Sequence, residues 1–256
     1  MFKNKLSYMI VATPSVNNQT VIAQVVAPTG VRDRAALDSW LAKALPGAAQ
    51  LGDSVTVTTY ELGDAQLLPH RAARFGGRYS VLYEAPDLDG LAALLQGTSG
   101  GGAESEGAGI VVFRQTFETR TATTLPEGVV PPTEDSPQGP PGVFLAWTRP
   151  VNAEADEDYN RWYDDWHCPE TLHMKGFYRG RRGKKIPEAT TALNIPEIDA
   201  PYLTVYDIDS IGGIPFARDV LVPWLSEVGV DHLGPESYDR AFTQAFIFAD
   251  LDGESR

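Results

Sequence analysis

The chain has 256 residues, 43% of them hydrophobic and 10% aromatic, which is enough apolar content for one large domain or two small ones. Its formal net charge of -13, from 34 acidic and 21 basic residues, argues against a nucleic-acid or membrane partner, because both bind basic surfaces. The single cysteine excludes an intramolecular disulfide, and no segment resembles a signal peptide or a membrane span, so we expect a soluble cytoplasmic protein.

The first half of the chain predicts six elements in the order strand, helix, strand, strand, helix and strand. From the hydrophobic pattern these cover residues 21–27, 32–45, 54–62, 79–84, 88–95 and 110–119. Residues 98–109, "TSGGGAESEGAG", are typical of a flexible loop. Residues 124–142 are rich in proline and acidic, which indicates a semi-extended linker.

The second half repeats this order after the linker. Its predicted elements cover residues 143–149, 156–166, 177–182, 202–208, 214–227 and 241–251. A shift of 123 residues lays "VIAQVVAP" on "FLAWTRPV", and after a small insertion "FRQTF" matches "FTQAF". Without a gap, the same shift also superposes five single residues: Trp40 on Tyr163, Pro46 on Pro169, Tyr79 on Tyr202, Tyr83 on Tyr206 and Glu84 on Asp207.

The repeated order βαββαβ predicts an α+β fold of two tandem ferredoxin-like units, with helices on one face of each antiparallel sheet. The free faces then pack sheet to sheet, which gives an intramolecular, pseudo-dimeric α/β barrel with a cavity between the sheets. We assign residues 1–123 to an N-terminal unit, residues 124–142 to the linker and residues 143–256 to a C-terminal unit.

Alternation along the strands predicts which side chains face this cavity. In "YLTVYDI" one face carries Tyr202 and Tyr206, and the other carries Leu203 and Val205. We assign the aromatic and polar faces to the cavity and the aliphatic faces to the helices, with the reverse assignment as the alternative. The substrate-binding candidates on these strands are Trp147, Tyr202, Tyr206, Phe242, Gln244 and Phe246.

The segment "DYNRWYDDWHCPETL" carries the candidate chemistry. At the matching place, 123 residues earlier, the first half has Ala44 where His167 stands and Leu41 where Asp164 stands. Because the first half makes the same turn without these polar groups, the fold alone does not explain them. We therefore assign function to the C-terminal half.

His167 is the candidate general acid/base of this segment. Pro169 disfavours helical geometry at Cys168, so a helix break is expected to project His167 into the cavity mouth. Asp164 is expected to orient the imidazole, and Tyr163 to hydrogen-bond a substrate oxygen. Core packing is the preferred explanation for the other aromatic side chains of the helix: Tyr159, Trp162 and Trp166.

The longer segment "YNRWYDDWHCPETLHMKGFYRGRR" resembles the signature of the dimeric α/β-barrel superfamily, most closely its EthD-like branch. "APYLTVYDID" resembles the third strand of that branch, and the resemblance covers residues 158–182 and 201–207. The family positions fall on Trp162, Tyr163, Asp164, His167, Pro169, Gly176, Phe177 and Arg182. Members pair two sheets by dimerisation, so the resemblance implies an internal pseudo-dimer with a single site, because the first half lacks the signature.

The resemblance implies a broad range of chemistry. Relatives include cofactor-free cyclases, isomerases, decarboxylases and dehydratases of small, often aromatic or polyketide-like molecules, as well as cofactor-free monooxygenases and remote haem binders. We expect a cofactor-independent lyase or isomerase that acts on such a small molecule, as a monomer or homodimer. The alternatives are a cofactor-free monooxygenase of phenols and a non-catalytic binding or stress protein.

Arginines on the strand after the helix are further substrate-binding candidates. Arg179 and Arg181 are expected to share one strand face with Phe177, and Arg182 to take the other. An arginine at the cavity edge can hold a carboxylate or an enolate oxygen, although a salt bridge to a surface acid explains any one of them equally well.

A metal site would draw on His167, Cys168, Glu170 and His173. It is disfavoured, because the second Glu-x-x-His pair of a di-iron site is missing.

Overall fold

The computed structural model of the chain describes residues 21–27, 30–44, 51, 54–64, 66, 78–92, 113–119, 139–172, 174, 176–187, 200–221, 223, 236–239 and 244–252. Within these residues the chain forms eight strands: β1 (Val21–Val26), β2 (Thr56–Leu62), β3 (Tyr79–Ala85), β4 (Phe113–Thr119), β5 (Gly142–Thr148), β6 (Phe177–Lys185), β7 (Tyr202–Ile208) and β8 (Gln244–Asp250). The predicted strands are confirmed in both halves, with differences of a few residues at their ends.

The helix predicted after the first strand of each half is confirmed, whereas residues 93–95, 222 and 224–227 of the predicted second helices lie outside the described residues. Helix α1 (Arg34–Ala44) follows β1, and helix α2 (Asp156–Trp162) follows β5. Helix α2 continues as a π-turn (Tyr163–His167) and then as α3 (Cys168–Thr171). The remaining helical segments are short: 3₁₀ turns at Asp89–Leu91 and Ile211–Gly213, α4 (Ile214–Phe216) and a π-turn at Ala217–Leu221. None of the helices that the structure describes is long and apolar enough to cross a membrane.

The eight strands form one closed antiparallel barrel in the order β1-β3-β2-β8-β5-β7-β6-β4. The first half contributes the run β4-β1-β3-β2, and the second half contributes the run β8-β5-β7-β6 in the same internal order. The two runs join where Tyr60 of β2 pairs with Asp250 of β8 and where Phe117 of β4 pairs with Lys185 of β6. Closure gives every described strand two neighbours, so none presents an open sheet edge.

The ladder registers correct the alignment of the first strands of the two halves. Ile22 lies opposite Glu84, and Val143 lies opposite Asp207. If Glu84 and Asp207 correspond, Ile22 therefore corresponds to Val143, whereas the 123-residue shift places Val21 on Phe144. The strand alignment is wrong by two residues. Such an error leaves every side chain on the same sheet face, so alternation cannot reveal it.

A cluster of hydrophobic side chains from both halves lies inside the barrel. They are Ile22, Val26, Tyr60, Leu82, Val143, Leu145, Trp147, Ala200, Leu203, Val205, Phe246 and Phe248. Trp147 packs against Phe246 with ring centres 5.7 Å apart. An eight-stranded barrel is just wide enough for such side chains to fill it, which explains why both halves direct apolar residues inward.

The predicted faces of the third strand are wrong. Leu203 and Val205 point into the barrel, whereas Tyr202 and Tyr206 pack beneath the helices of the second half. The two tyrosine hydroxyls have hydrogen-bond partners on the helix side. Buried hydroxyls need hydrogen-bond partners, and for these two tyrosines the partners lie on the helix side, so the reverse assignment prevails.

The helix after β5 does not break at Pro169. Cys168 is helical, with φ of -63° and ψ of -50°, and its N–H bonds to the carbonyl of Tyr163, five residues earlier. A proline has no N–H and its ring clashes with the carbonyl four residues before it, which a regular α-helix cannot accommodate. A π-turn relieves this conflict without ending the helix, and such turns are frequent at functional sites.

Strand β6 begins with an irregularity that sets the direction of its side chains. Gly176 has a φ of +91°, and a Cβ at this position would lie 2.8 Å from Oδ1 of Asp209. The register then shifts between Phe177 and Arg179. Phe177 therefore packs on the helix side, whereas Arg179 pairs with Asp207, so the predicted shared face of Phe177 and Arg179 is wrong.

Candidate active site

The space between helix α2 and the second-half sheet contains buried polar side chains. We call this set the α2 layer, and its members are each at most 2% exposed: Thr148, Tyr159, Tyr163, Cys168, Arg182, Tyr202, Thr204 and Tyr206. The strands β5, β6 and β7 supply one wall of the layer, and α2, the π-turn and α3 supply the other. A buried polar layer of this size needs a specific set of partners.

Arg182 is the charged centre of the α2 layer. Its Nη1 donates a hydrogen bond to Oδ1 of Asp164 at 3.0 Å. Its guanidinium carbon lies 4.3 Å from the ring centre of Tyr202, 4.5 Å from that of Tyr163 and 5.1 Å from that of Tyr159. Burial lowers the pKa of Arg182, but Tyr159 and Asp164 raise it, and the net pKa lies above the ordinary value. The side chain is therefore a permanent buried cation.

Tyr202 connects the α2 layer to the protein surface. Its hydroxyl donates to Oδ1 of Asp156 at 2.7 Å and accepts from Nδ2 of Asn160 at 2.9 Å. The Nζ of Lys184 lies 3.7 Å from Oδ2 of Asp156 and 5.7 Å from the centre of the Tyr202 ring. Because Asp156 and Lys184 are solvent-accessible, polar contacts run from solvent to the immediate neighbour of Arg182.

The other phenols of the layer are neutral hydrogen-bond donors. The Tyr159 hydroxyl donates to Oγ1 of Thr148. Burial raises the pKa of Tyr159, an effect that Arg182 only partly opposes. Burial also raises the pKa of Tyr163 well above its ordinary value. At neutral pH both hydroxyls therefore stay protonated. The Tyr163 hydroxyl can then donate a hydrogen bond, as its predicted role towards a substrate oxygen requires.

Cys168 lies at the floor of the layer and is not an activated nucleophile. The Tyr206 hydroxyl donates to its Sγ at 3.4 Å. Burial raises the pKa of the Cys168 thiol to about 12. The thiolate is the reactive form of cysteine, so the thiol is inert at neutral pH.

His167 lies at the end of the π-turn, at the margin of the α2 layer. Its ring stacks on Trp162 with centres 4.7 Å apart and meets the edge of Tyr163, also at 4.7 Å. The side chain is 19% exposed, so the imidazole is held by aromatic rings and is still accessible. Nδ1 lies 3.9 Å from Oε2 of Glu170, whose side chain is 1% exposed.

Asp164 has a different partner from the one expected. The sequence predicts a pair with His167, but the structure pairs Asp164 with Arg182, and the carboxylate near Nδ1 of His167 is that of Glu170. The π-turn explains this difference, because it changes the angular spacing on which the i, i+3 rule depends. The sequence pattern indicated a role for Glu170 only as a potential metal ligand.

The first half provides an internal comparison for the α2 layer. Thr59 lies opposite Val81, and Arg182 lies opposite Thr204 on the matching ladder. The layer beneath α1 is mainly apolar and has no buried charged side chain among its described residues, which include Ala27, Leu37, Trp40, Val81 and Tyr83. The same architecture is therefore stable without a buried arginine, and the polarity of the α2 layer is not a requirement of the fold.

The other arginine candidates belong to a separate charged group at the barrel face. Arg179 and Arg181 both pair with Asp207, and Arg181 also pairs with Glu84 of the first half. The structure thus divides the three arginine candidates between two sides of the sheet. Arg182 alone among them joins Tyr163 and Asp164 in the α2 layer.

The remaining substrate-binding candidates are not gathered at this site. Trp147 and Phe246 point into the barrel, and Tyr202 and Tyr206 belong to the α2 layer. Phe242 and the side chain of Gln244 lie outside the described residues. The structure thus separates candidates that were expected to line one pocket between the sheets: two point into the barrel, and two belong to the polar layer on its outside.

The expectation that the aromatic side chains of the helix pack in the core is correct for two of the three. Tyr159 is fully buried and Trp162 packs against the same cluster, but Trp166 is 41% exposed. Sequence reasoning missed Thr148 and Thr204 as members of the layer. A comparison of the two halves could have found them, because the first half has Ala27 in place of Thr148 and Val81 in place of Thr204.

The residues that the structure describes contain no group of three or more potential metal ligands among His, Cys, Asp and Glu. His173, one of the four residues considered as ligands, lies outside them.

Comparison with known proteins gives a likeness of fold. No protein-family model and no curated protein matches the chain. An anthrone oxidase-like protein of solved structure superposes with a TM-score of 0.53 at 11% identity, over 96% of each chain. A candidate monooxygenase from Fusobacterium nucleatum subsp. nucleatum ATCC 25586 gives 0.52 at 8% identity, over 94% of this chain and 96% of that one. At such identities the likeness shows the fold alone, an antiparallel α+β barrel.

Proposed function

We propose that the protein is a cofactor-independent enzyme of the lyase or isomerase type, with His167 as its general acid/base. The observation that carries the proposal is the contrast between the two helix-covered layers. One layer is mainly apolar, with two tyrosines and no charged side chain among its described residues, and the other holds Arg182, four tyrosines and an accessible histidine at its margin. The substrate class is a small aromatic or polyketide-like molecule, whose planar body suits a wall of stacked rings.

The arrangement of His167 supports proton transfer. Glu170 on the Nδ1 side favours a proton on that nitrogen and leaves Nε2 as the base. Trp162 and Tyr163 restrict rotation of the ring, so little orientation is lost when a substrate binds. Abstraction of a proton next to a carbonyl would produce an enolate, and the Tyr163 hydroxyl would stabilise its oxygen. The enolate can then cyclise, isomerise or eliminate water.

His167→Gln tests this role. Bound small molecules are first identified by mass spectrometry of the protein purified from its native host, and their turnover is then measured with both forms. Loss of a general acid/base lowers the rate by on the order of 10²–10⁴. We expect a loss of this size with an unchanged melting curve and unchanged ligand binding. Tyr178→Phe, a change at an exposed aromatic residue, is the control. Full turnover by His167→Gln would refute the role.

A second candidate is a cofactor-free oxygenase. It is favoured by the two superposed structures, described as anthrone oxidase-like and as a candidate monooxygenase. The same base would deprotonate an electron-rich phenol or anthrone, and the resulting carbanion would react with molecular oxygen. Oxygen consumption that accompanies turnover, and that His167→Gln abolishes, would support this reaction over the lyase or isomerase reaction. Turnover at full rate in an anaerobic cell would exclude it.

We further propose that the chain is a tandem duplication from the EthD-like branch, divided at residues 124–142. The identical internal strand order of the two runs supports the duplication, as does the pairing of both Glu84 and Asp207 with Arg181. Because the barrel closes within one chain, we expect a monomer. Light scattering after gel filtration should give the mass of a single chain, and a stable dimer would argue against a self-sufficient pseudo-dimer.

A further inference from the structure

Arg182 has hydrogen-bonding capacity that its described neighbours do not use. Nη1 donates to Asp164, and the guanidinium also acts on the nearby Tyr159 hydroxyl, whose pKa it lowers, but among the residues that the structure describes no atom accepts a hydrogen bond of standard geometry from Nε or Nη2. The side chain is 0% exposed, so bulk water does not reach these donors. Buried donors without an acceptor are costly, and native proteins rarely retain them without a reason.

The two unused donors form one binding edge. In a planar guanidinium, Nε–H and Nη2–H lie side by side and point in the same direction, away from Nη1. This fork matches the two oxygens of a carboxylate, which accepts both hydrogen bonds at once. A ketone or alcohol oxygen would leave the match incomplete. The free edge of Arg182 therefore has the geometry of a carboxylate site.

The surroundings suit a planar acid. Tyr163 and Tyr159 lie against the guanidinium, and Tyr163 also contacts the ring of His167. An aromatic body held on these rings would reach from Arg182 towards His167. At the place that corresponds to Arg182, the first half has Thr59 and needs no arginine.

We infer that Arg182 binds the carboxylate of the substrate, which is therefore an aromatic or polyketide-like carboxylic acid. This inference rests on the proposed function for the location of the active site. An arginine fork stabilises the carboxylate in the ground state, so this group serves as a handle and is not the group that leaves. Of the reactions proposed above, the site then favours cyclisation, isomerisation or dehydration near His167 and disfavours loss of the bound carboxylate as CO₂.

Calorimetric titration with 2-naphthoate and 2-naphthamide tests this inference. The two probes have the same ring system, but the amide is neutral and cannot accept both hydrogen bonds. We expect the wild-type protein to bind naphthoate at least ~10-fold more tightly, as a charge-assisted bidentate contact implies. Arg182→Lys keeps the charge and removes the fork, so the preference should fall to a few-fold or less. Arg161→Lys, at an exposed arginine of α2, should keep the preference in full.

The outcomes separate this inference from the proposed function. Equal binding of both probes by the wild type, or no binding of naphthoate, overturns the carboxylate site even if Arg182→Lys fails to fold. Retention of the full preference by a folded Arg182→Lys overturns it as well. His167→Gln should keep the naphthoate preference. If it also keeps full turnover, the general acid/base proposal fails while the carboxylate site stands.

Discussion

Arg181 of β6 and Glu84 of β3 form an ion pair across the inside of the barrel, between strands that belong to different halves of the chain. Arg181 also pairs with Asp207, which occupies on β7 the place that Glu84 occupies on β3. One arginine thus binds two matching acids, one from each half. Its side chain is only 11% exposed, so solvent screens these contacts weakly.

Arg181→Gln should destabilise the protein. The change leaves two carboxylates close together without their shared cation, so we expect a loss of about 2 kcal/mol, between the values typical of exposed and of fully buried pairs. Urea unfolding measures the free energy of unfolding. The control is Arg78→Gln, which breaks the surface pair with Glu61 and should change the midpoint little. Equal midpoints for the two variants would show that the cross-barrel pair does not join the halves energetically.

Gly176→Ala should also destabilise the protein, through the backbone and not through charge. Alanine is strained at a φ of +91°, and its Cβ would collide with Asp209. We expect a cost of about 1–2 kcal/mol, measured as a lower urea midpoint. Gly30→Ala is the matched control, because a Cβ added at Gly30 would have no heavy atom within 4 Å and the variant should be neutral. An unchanged midpoint for Gly176→Ala would mean that β6 can start in another conformation.

The order of elements could be predicted from the sequence because each half alternates strands and helices clearly. The strands from Tyr79 and from Tyr202 start where predicted, and both helices after the first strands are present. Alternation alone could not predict which side chains of β7 point into the barrel and which point towards the helices. Both faces of "YLTVYDI" are apolar enough to be buried, and the choice depends on tertiary partners of the two tyrosine hydroxyls.

The candidate site was predicted in part. The comparison of the two halves identified His167 and Asp164 as polar residues that the fold does not require, and the family resemblance pointed to Arg182. Their pairing was not predicted, because the local rule assumes a regular α-helix and Pro169 induces a π-turn instead. The contact between Asp164 and Arg182 joins residues 18 positions apart, and no local pattern contains that information.

Asp164→Asn should lower stability by about 2 kcal/mol. Asp164 is the carboxylate that pairs with the buried guanidinium of Arg182, and an amide cannot balance that charge. Asp165→Asn changes the exposed neighbour on the same turn and should have little effect. Differential scanning calorimetry of the two variants gives the comparison. If both variants melt like the wild type, another group neutralises the charge of Arg182, and Asp164 is not its main counter-ion.

Alkaline solution should destabilise the protein from about pH 9 upward. The folded state raises the pKa of Cys168 from its ordinary value of 9.0 to about 12, and it also raises the pKa of Tyr159, Tyr163 and Tyr206. Each group therefore favours the folded state fully below its unfolded pKa. This contribution is lost as the pH rises towards the folded pKa, because only the unfolded chain releases the proton in that window. Urea midpoints measured between pH 8 and pH 11 should fall as the pH rises. In Cys168→Ala this fall should be shallower between pH 9 and pH 11.

In the native protein at pH 9 the Cys168 thiol should also react with Ellman's reagent far more slowly than in urea-unfolded protein. Rapid reaction of native Cys168, or a midpoint that does not change with pH, would show that the α2 layer opens readily to solvent.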